Sequence, residues 1–283
     1  MMENALEIKN LCKRYERFAL DQVSFTLPQG CVMGFIGENG AGKSTTIKAV
    51  LNLIRHDSGT VTVLGMDSIK HDQEIKQLLG VVLEDSTFPA FYRAKDVNAV
   101  LQGAYPAWHP EQFYDYLKRF KIDERKKISE YSKGMRMKLS IAAALSHEAR
   151  LLLLDEPTSG LDPVVRDEVL DLFWEFLQDE NHSVLISSHI TSDLDKIADY
   201  ITFIHEGRIL LSERRDELLD TLSILKCPAG ALAGLDPDAI VATRTGAYGA
   251  EALVRRKHLH GNYTLEPVNI EQIMLFFTRG DHK

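Results

Sequence analysis

The segment "GENGAGKST", Gly37 to Thr45, sets three glycines ahead of a lysine and a pair of hydroxyls. Its spacing follows G-x-x-x-x-G-K-[ST], and the chemistry that suits those residue types is the holding of phosphate. Gly37, Gly40 and Gly42 let successive backbone N–H groups turn toward phosphate oxygens where a Cβ would obstruct them. Lys43 is placed to reach the β- and γ-phosphates, Ser44 offers a hydroxyl to Mg²⁺, and the helix opening at Lys43 adds the positive end of its dipole. Glu38, Asn39, Ala41 and Thr45 complete the expected nucleotide cradle. Glycine's frequency alone generates such a pattern in about one chain in a hundred. The apolar strand before it and the helix after it separate this instance from an accident.

A phosphate site that does hydrolytic work needs carboxylates, and "LLLLDEPTSGLD" supplies them. Four apolar residues read as a buried strand with Asp155 at its C-terminal end, where ligands bind in open α/β sheets. Asp155 is expected to hold Mg²⁺ through water, and Glu156 to polarise the attacking water as general base. The competing reading, an acidic pair capping a helix, is weakened by Pro157. "ISSHI" is another strand end, where His189 is placed to touch the γ-phosphate and hold the water. A lone histidine there is more often structural, and its company raises it.

The elements that must position these groups are legible as short apolar runs. "ALEIKNL" and "QVSFTL" alternate in part, as half-exposed strands do, whereas "CVMGFI", "LLLL" and "VLIS" are continuous and suit strands buried on both faces of a parallel sheet. "GTVTVLG" and "GVVLE" read as further strands. Helical patterns cover Lys43 to about Ile54, Met135 to Ser146, Val164 to Gln178 and Ser192 to Ala198. Alternation of strand and helix predicts an α/β fold. Nine aromatic residues crowd between Phe88 and Phe120, the mark of a helical insertion with a small core of its own. From about Thr221 the pattern breaks at "CPAGALAGLDPDA" and ends in a short strand-like and helical tail, read as an accessory segment.

Composition bounds the rest. A formal net charge of -8 argues against general affinity for nucleic acid, which needs a basic face. "RRKHLH", Arg255 to His260, is therefore expected to be a solvated patch. Three scattered cysteines, Cys12, Cys31 and Cys227, form neither a disulfide framework nor a zinc motif and fit a reducing compartment. Glu3, Glu7 and Lys9 interrupt the N-terminus where a secretory signal would be apolar, and no apolar run reaches about 18 residues. The expectation is a chain that neither spans a membrane nor is exported by the usual route.

Taken in order, the P-loop, the helical insertion, "YSKGM", "LLLLDE", "SGLD" and the strand-terminal histidine resemble the nucleotide-binding subunit of ATP-binding cassette (ABC) transporters. The resemblance covers about residues 3 to 220. It implies a P-loop NTPase fold of the ABC type: an ATP-binding domain over 1–220 with an N-terminal antiparallel β subdomain, a helical subdomain at about 86–147, and a small C-terminal accessory segment over 221–283. It also implies that Tyr15 stacks on adenine, the alternative being a core or surface tyrosine, and that Asp162 of "SGLD" crosses a dimer interface. The family's signature LSGGQ corresponds to Tyr131-Ser132-Lys133-Gly134-Met135. By that resemblance Ser132 and Gly134 bind the ATP held by a second copy or a related ATPase subunit, and a helix N-terminus there is a physically sensible anion site.

The sequence also departs from the family. Where a glutamine usually ends the strand leading into the insertion, "GVVLEDS" has Glu84, which can still ligate Mg²⁺ but adds negative charge beside Asp155 and Glu156. Lys133 and Met135 replace signature residues while Ser132 and Gly134 remain. "SKGM" and the tail "EPVNIEQIMLFF" resemble exporter ATPases that pair with a separate integral membrane permease, which implies a cytoplasmic protein held peripherally at the inner face of the membrane. Phe88, Phe91 and Tyr92 are then either part of the socket for that permease or filling for the insertion's own core. Two functions follow: an ATPase driving a membrane permease, with export favoured, or a soluble cassette ATPase like that of iron–sulfur cluster assembly.

Overall fold

The computed structural model describes residues 3–84, 88–246, 249–261 and 263–282. Strands β1 (Asn4–Arg14), β2 (Ala19–Pro28) and β3 (Val32–Ile36) lead through the phosphate loop into helix α1 (Lys43–Val50). There follow β4 (Ser58–Val63), β5 (Met66–Asp67), α2 (Asp72–Gln77) and β6 (Leu79–Val82). The helical insertion contains α3 (Ala94–Ala104), α4 (Pro110–Arg119) and α5 (Lys133–Leu145). Its expected beginning, at about residue 86, lies outside the described residues. The chain returns through β7 (Leu151–Asp155), α6 (Pro163–Phe176), β8 (Ser183–Ser188), α7 (Thr191–Ile197), β9 (Tyr200–His205), β10 (Arg208–Arg214) and α8 (Arg215–Thr221). The C-terminal part holds β11 (Leu222–Cys227), β12 (Ile240–Gly246), β13 (Gly249–Arg255), β14 (Leu265–Glu266), α9 (Ile270–Arg279) and β15 (Asp281–His282).

Three sheets result. The first is antiparallel, in the order β2-β1-β4-β5; the second runs β10-β9-β3-β8-β7-β6, with all strands parallel except edge strand β10. In the second sheet the apolar runs divide by alternation between two cores. Val32, Ile36, Leu152, Leu154, Val184 and Ile186 enter the core shared with the helical insertion. Met33, Phe35, Leu151, Leu153 and Leu185 enter the core shared with the antiparallel sheet. Burial on both faces is why these segments are continuously apolar rather than alternating. It also fixes register, since a one-residue slip would exchange the two cores.

Register then delivers the functional ends together. Ile36 lies opposite Ser188, Asp155 opposite Ser187, and Val82 opposite Leu154. The C-terminal ends of β3, β8, β7 and β6 therefore finish along one rim, where a ligand of a parallel sheet belongs.

The aromatic residues of the insertion divide between core and surface. Phe113, Trp108 and Phe120 are buried, and the Trp108 indole N–H donates to Asn98 Oδ1 at 2.9 Å. Phe88 and Tyr92 are half-buried against the same core, while Phe91 is 70% exposed with its ring edge-on to Tyr92.

The C-terminal segment is more ordered than its sequence suggests. Its third sheet, β14-β11-β13-β12-β15, is antiparallel between every neighbouring pair. Leu222, Ile224, Leu253, Ile273 and Phe276 join the same core as Ile201 and Phe203, and the rings of Phe203 and Phe277 stack 5.3 Å apart. "RRKHLH" is largely at the surface as expected, although the Arg256 guanidinium donates to Ser223 Oγ.

Candidate functional site

The phosphate loop leaves β3 at Gly37 and turns into α1 through Gly42, whose φ of 118° is left-handed. A Cβ at that position would meet Leu20 and Phe18, so glycine answers both the backbone and the packing there. Glu38, Asn39 and Gly40 are exposed at the loop's outer turn, and Ala41, buried, donates its N–H to the Glu38 carbonyl at 3.1 Å. No side chain caps α1. Its leading N–H groups, including those of Ser44 and Thr45, have no partner within the helix and are available to an anion.

Lys43 folds back over this loop. Its Nζ donates to the Gly37 carbonyl at 2.7 Å and the Glu38 carbonyl at 3.3 Å, and lies 3.3 Å from Glu156 Oε1. That last contact is between charges without the alignment of a hydrogen bond, because Glu156 Oε1 is buried with no hydrogen-bond partner. The other oxygen, Oε2, meets His189 Nδ1 at 2.7 Å and, more loosely, the His189 backbone N–H at 3.4 Å. Glu156 thus stands between Lys43 and His189. Its backbone has a φ of 52°, unusual for a non-glycine residue and the kind of strain found at functional sites.

Asp155 is buried at the end of β7, and its Oδ1 accepts a hydrogen bond from Ser187 Oγ at 2.6 Å. Ser44 and Asp155 are hard oxygen donors of the type Mg²⁺ takes, one in the first turn of the phosphate helix and one on the shared rim. Together with the uncapped helix start they fit a magnesium-bound polyphosphate. Glu84 is exposed two residues beyond β6, on the same rim.

Tyr15 is 49% exposed, with Lys13 Nζ 5.5 Å above its ring and Phe18 6.5 Å away in stacked orientation. Because Phe18 also borders Gly42, this open aromatic face lies on the flank of the phosphate loop.

The "YSKGM" residues lie apart. Ser132 is the N-cap of α5, its Oγ accepting from the Met135 N–H at 3.2 Å. No acidic residue occupies the first turn, and Lys133 reaches toward Gly160. Asp162 caps α6 by accepting from the Val165 N–H at 3.1 Å. Among the described residues no hydrogen bond or ion pair joins Ser132 or Gly134 to Lys43, Asp155 or Glu156. The chain therefore joins Lys43, Glu156 and His189 in one cluster beside Asp155 and, without a bond to it among the described residues, carries an exposed helix start. Ser187 is the residue that motif reading passes over. Its position next to the last residue of β8, opposite Asp155 in the pairing with β7, is what brings its hydroxyl to the site.

This arrangement defines a P-loop nucleotide hydrolase with a helical insertion and a second, outward-facing helix start. A family model described as ABC transporter matches residues 20–159. The bacitracin transport ATP-binding protein BcrA of Bacillus licheniformis is 33% identical over 213 residues, covering 74% of this chain and 69% of that protein. The lantibiotic transport ATP-binding protein SrtF of Streptococcus pyogenes is 34% identical over 216 residues, covering 75% and 91%. In fold, the chain is similar to an ATP-binding subunit of an ABC transporter, with a TM-score of 0.69 and 24% identity over 76% of this chain and 92% of that one. It is also similar to a dimeric ATP-binding cassette in a post-hydrolysis state bound to ADP and Pi, with a TM-score of 0.66 and 20% identity over 74% and 98%. The chain belongs to the ABC transporter family of ATP-binding proteins and is an ATPase.

Proposed function

We propose that this chain is the ATP-hydrolysing subunit of an exporter, closing as a dimer on two ATP molecules and driving a separate membrane permease. The observation that carries the hydrolytic reading is Glu156, buried, with Lys43 at 3.3 Å on one oxygen and His189 at 2.7 Å on the other. The loop N–H groups and Lys43 would bind the β- and γ-phosphates, and the exposed face of Tyr15 would take the adenine. Ser44 and Asp155, with Glu84 nearby, would hold Mg²⁺, which when bound neutralises phosphate charge. Glu156 would accept the proton of the attacking water while His189 orients both.

The dimeric part rests on the exposed start of α5. Ser132 and Gly134 stand at an exposed helix start that makes no hydrogen bond to the phosphate loop of the same chain among the described residues, which supports binding to a nucleotide held by a second copy or a related ATPase subunit. Asp162 would lie at that interface. The same division of labour assigns residues 1–220 to the ATP-binding domain, with its helical part at about 86–147, and 221–283 to an accessory segment. Exposed Phe91 supports a permease socket beside the insertion. None of the described helices is long and apolar enough to cross a membrane, which is consistent with peripheral attachment to the cytoplasmic face through a permease. Relatives named for bacitracin and lantibiotic transport favour this reading over a soluble assembly ATPase.

The test is the solution mass of Glu156→Gln with and without Mg-ATP. An ATP-dependent dimer that disappears in the double variant with Ser132→Arg is the expected result. A monomer in both conditions overturns the self-closing clamp, and a dimer indifferent to Ser132→Arg removes the signature helix from it.

A further inference from the structure

Ser187 is wholly buried at the pairing of β7 with β8, and its hydroxyl bonds to both acidic residues of the site, to the carboxylate of Asp155 and to the backbone of Glu156. It donates to Asp155 Oδ1 at 2.6 Å and accepts from the Glu156 backbone N–H at 3.1 Å, an N–H that also points at the Ser187 carbonyl at 3.1 Å. A hydroxyl has one proton to give and lone pairs to receive, so a single Oγ satisfies the two demands without conflict. The side chain of alanine, valine or leucine could supply neither bond, and Glu156 N–H would keep only the backbone carbonyl.

We infer that Ser187 is a positioning residue for ATP hydrolysis: it fixes the Asp155 carboxylate for its magnesium water and holds Glu156 in the left-handed backbone that presents its carboxylate to Lys43 and His189. The inference rests on the proposed roles of Asp155 and Glu156. The Ser187 bond engages one carboxylate oxygen of Asp155 and restrains the plane of the group, leaving the other oxygen free of that bond. Glu156 at φ 52° sits in a conformation that a non-glycine residue keeps only when its surroundings hold it there. Ser187 grips its N–H from the neighbouring strand, while His189, two residues further along the same chain, takes its side chain at 2.7 Å. One strand end therefore anchors the general base at both ends. Partners of this kind, which orient a ligand without touching substrate, typically alter metal affinity or activity by about 10–100-fold when removed.

The experiment compares wild type with Ser187→Ala and Ser187→Thr, using Glu156→Gln as reference, and follows steady-state hydrolysis alongside equilibrium binding of a fluorescent ATP analogue with Mg²⁺ or with EDTA. For Ser187→Ala the expected results are a kcat about 10–100-fold lower, a raised Mg²⁺ concentration for half-maximal binding, and unchanged affinity in EDTA. Ser187→Thr, which keeps the hydroxyl, restores both kcat and the Mg²⁺ dependence. A merely structural role would weaken binding equally with and without metal and lower the unfolding temperature, and that result overturns the inference. So does a Ser187→Ala protein with wild-type kcat and Mg²⁺ dependence while Glu156→Gln is inactive. If Glu156→Gln itself hydrolyses normally, it is the underlying assignment of the base that fails. Should Ser187→Ala not fold, Ser187→Cys, of similar size but a weaker donor, is the substitute and carries the same expectations.

Discussion

Lys43 and Glu156 form a charge contact at 3.3 Å with both side chains nearly excluded from solvent, at 5% and 6% exposure. The lysine expected to cradle phosphate is held by two loop carbonyls and by the carboxylate proposed as the base. An incoming γ-phosphate competes for the same ammonium group. On the proposed roles, a bound γ-phosphate would draw Lys43 from Glu156 and leave the carboxylate to face water.

Two substitutions separate those roles. Glu156→Gln should lower hydrolysis by at least about 10³-fold, since proton acceptance and its orientation by His189 are lost together. ATP affinity should hold or rise, because Lys43 loses its internal competitor. Lys43→Ala should instead weaken ATP binding by tenfold or more. Calorimetric titration beside a phosphate-release assay distinguishes them, and normal turnover in Glu156→Gln would remove that residue as the base.

Gly207 ties the phosphate loop to the rest of the protein. Its N–H donates to the Ala41 carbonyl at 2.9 Å, its carbonyl accepts from the Asp21 N–H at 2.9 Å, and its φ is 76°. A Cβ there would collide with the backbone carbonyl of Ala19. Gly207→Ala should cost about 2 kcal/mol or more and weaken ATP binding by shifting Ala41. An unchanged melting temperature would contradict this, even if binding fell.

The sequence made the catalytic rim readable for a physical reason. Strands buried on both faces must be continuously apolar, so β3, β7 and β8 announce themselves, and the polar residues at their ends stand out against that background. Ser187 was hidden because its value lies in a strand pairing: only the register of Asp155 with Ser187 reveals what its hydroxyl holds. The cap roles of Ser132 and Asp162 were likewise masked by the motifs that contain them. The C-terminal sheet was least legible. Strands such as "IVATRTG" and "GAEALVR" mix Thr, Arg, Glu and Ala, and draw their order from antiparallel neighbours and from the core they share with Phe203 and α9.

Glu84 adds a charge that the family's usual glutamine does not. β6 ends beside β7, with Val82 opposite Leu154, so Glu84 follows at the rim that already carries Asp155 and Glu156. Three carboxylates around one polyphosphate raise the electrostatic cost of nucleotide binding unless a cation offsets it. Glu84→Gln should hydrolyse ATP at an equal or higher rate and reach saturation at a similar or lower ATP concentration. A loss of more than tenfold would show that the carboxylate itself is a required metal ligand.

His147 links acid sensitivity to the junction of α5 and β6. The ring is 7% exposed, lies 4.2 Å from the Tyr105 ring, and donates from Nε2 to the Leu79 carbonyl at 3.0 Å, while Nδ1 is buried without a partner. Burial pushes its pKa below the ordinary value of 6.5, the backbone carbonyls of Leu79 and Ala143 oppose that shift, and nearby His109 adds to it. The folded protein therefore takes this proton less readily than the unfolded chain. Below about pH 6.5 the unfolded state binds more protons, so this histidine's contribution is intact above that pH and is lost as the pH falls toward the depressed folded value, at up to about 1.4 kcal/mol per pH unit. Replacing His147 with Gln, whose amide can still donate to the Leu79 carbonyl, should flatten the melting temperature between pH 6.5 and 5.5 by a few degrees relative to wild type (about 2–4 °C per kcal/mol for a domain of roughly this size). Parallel pH curves for the two proteins would mean that the buried ring is protonated without cost.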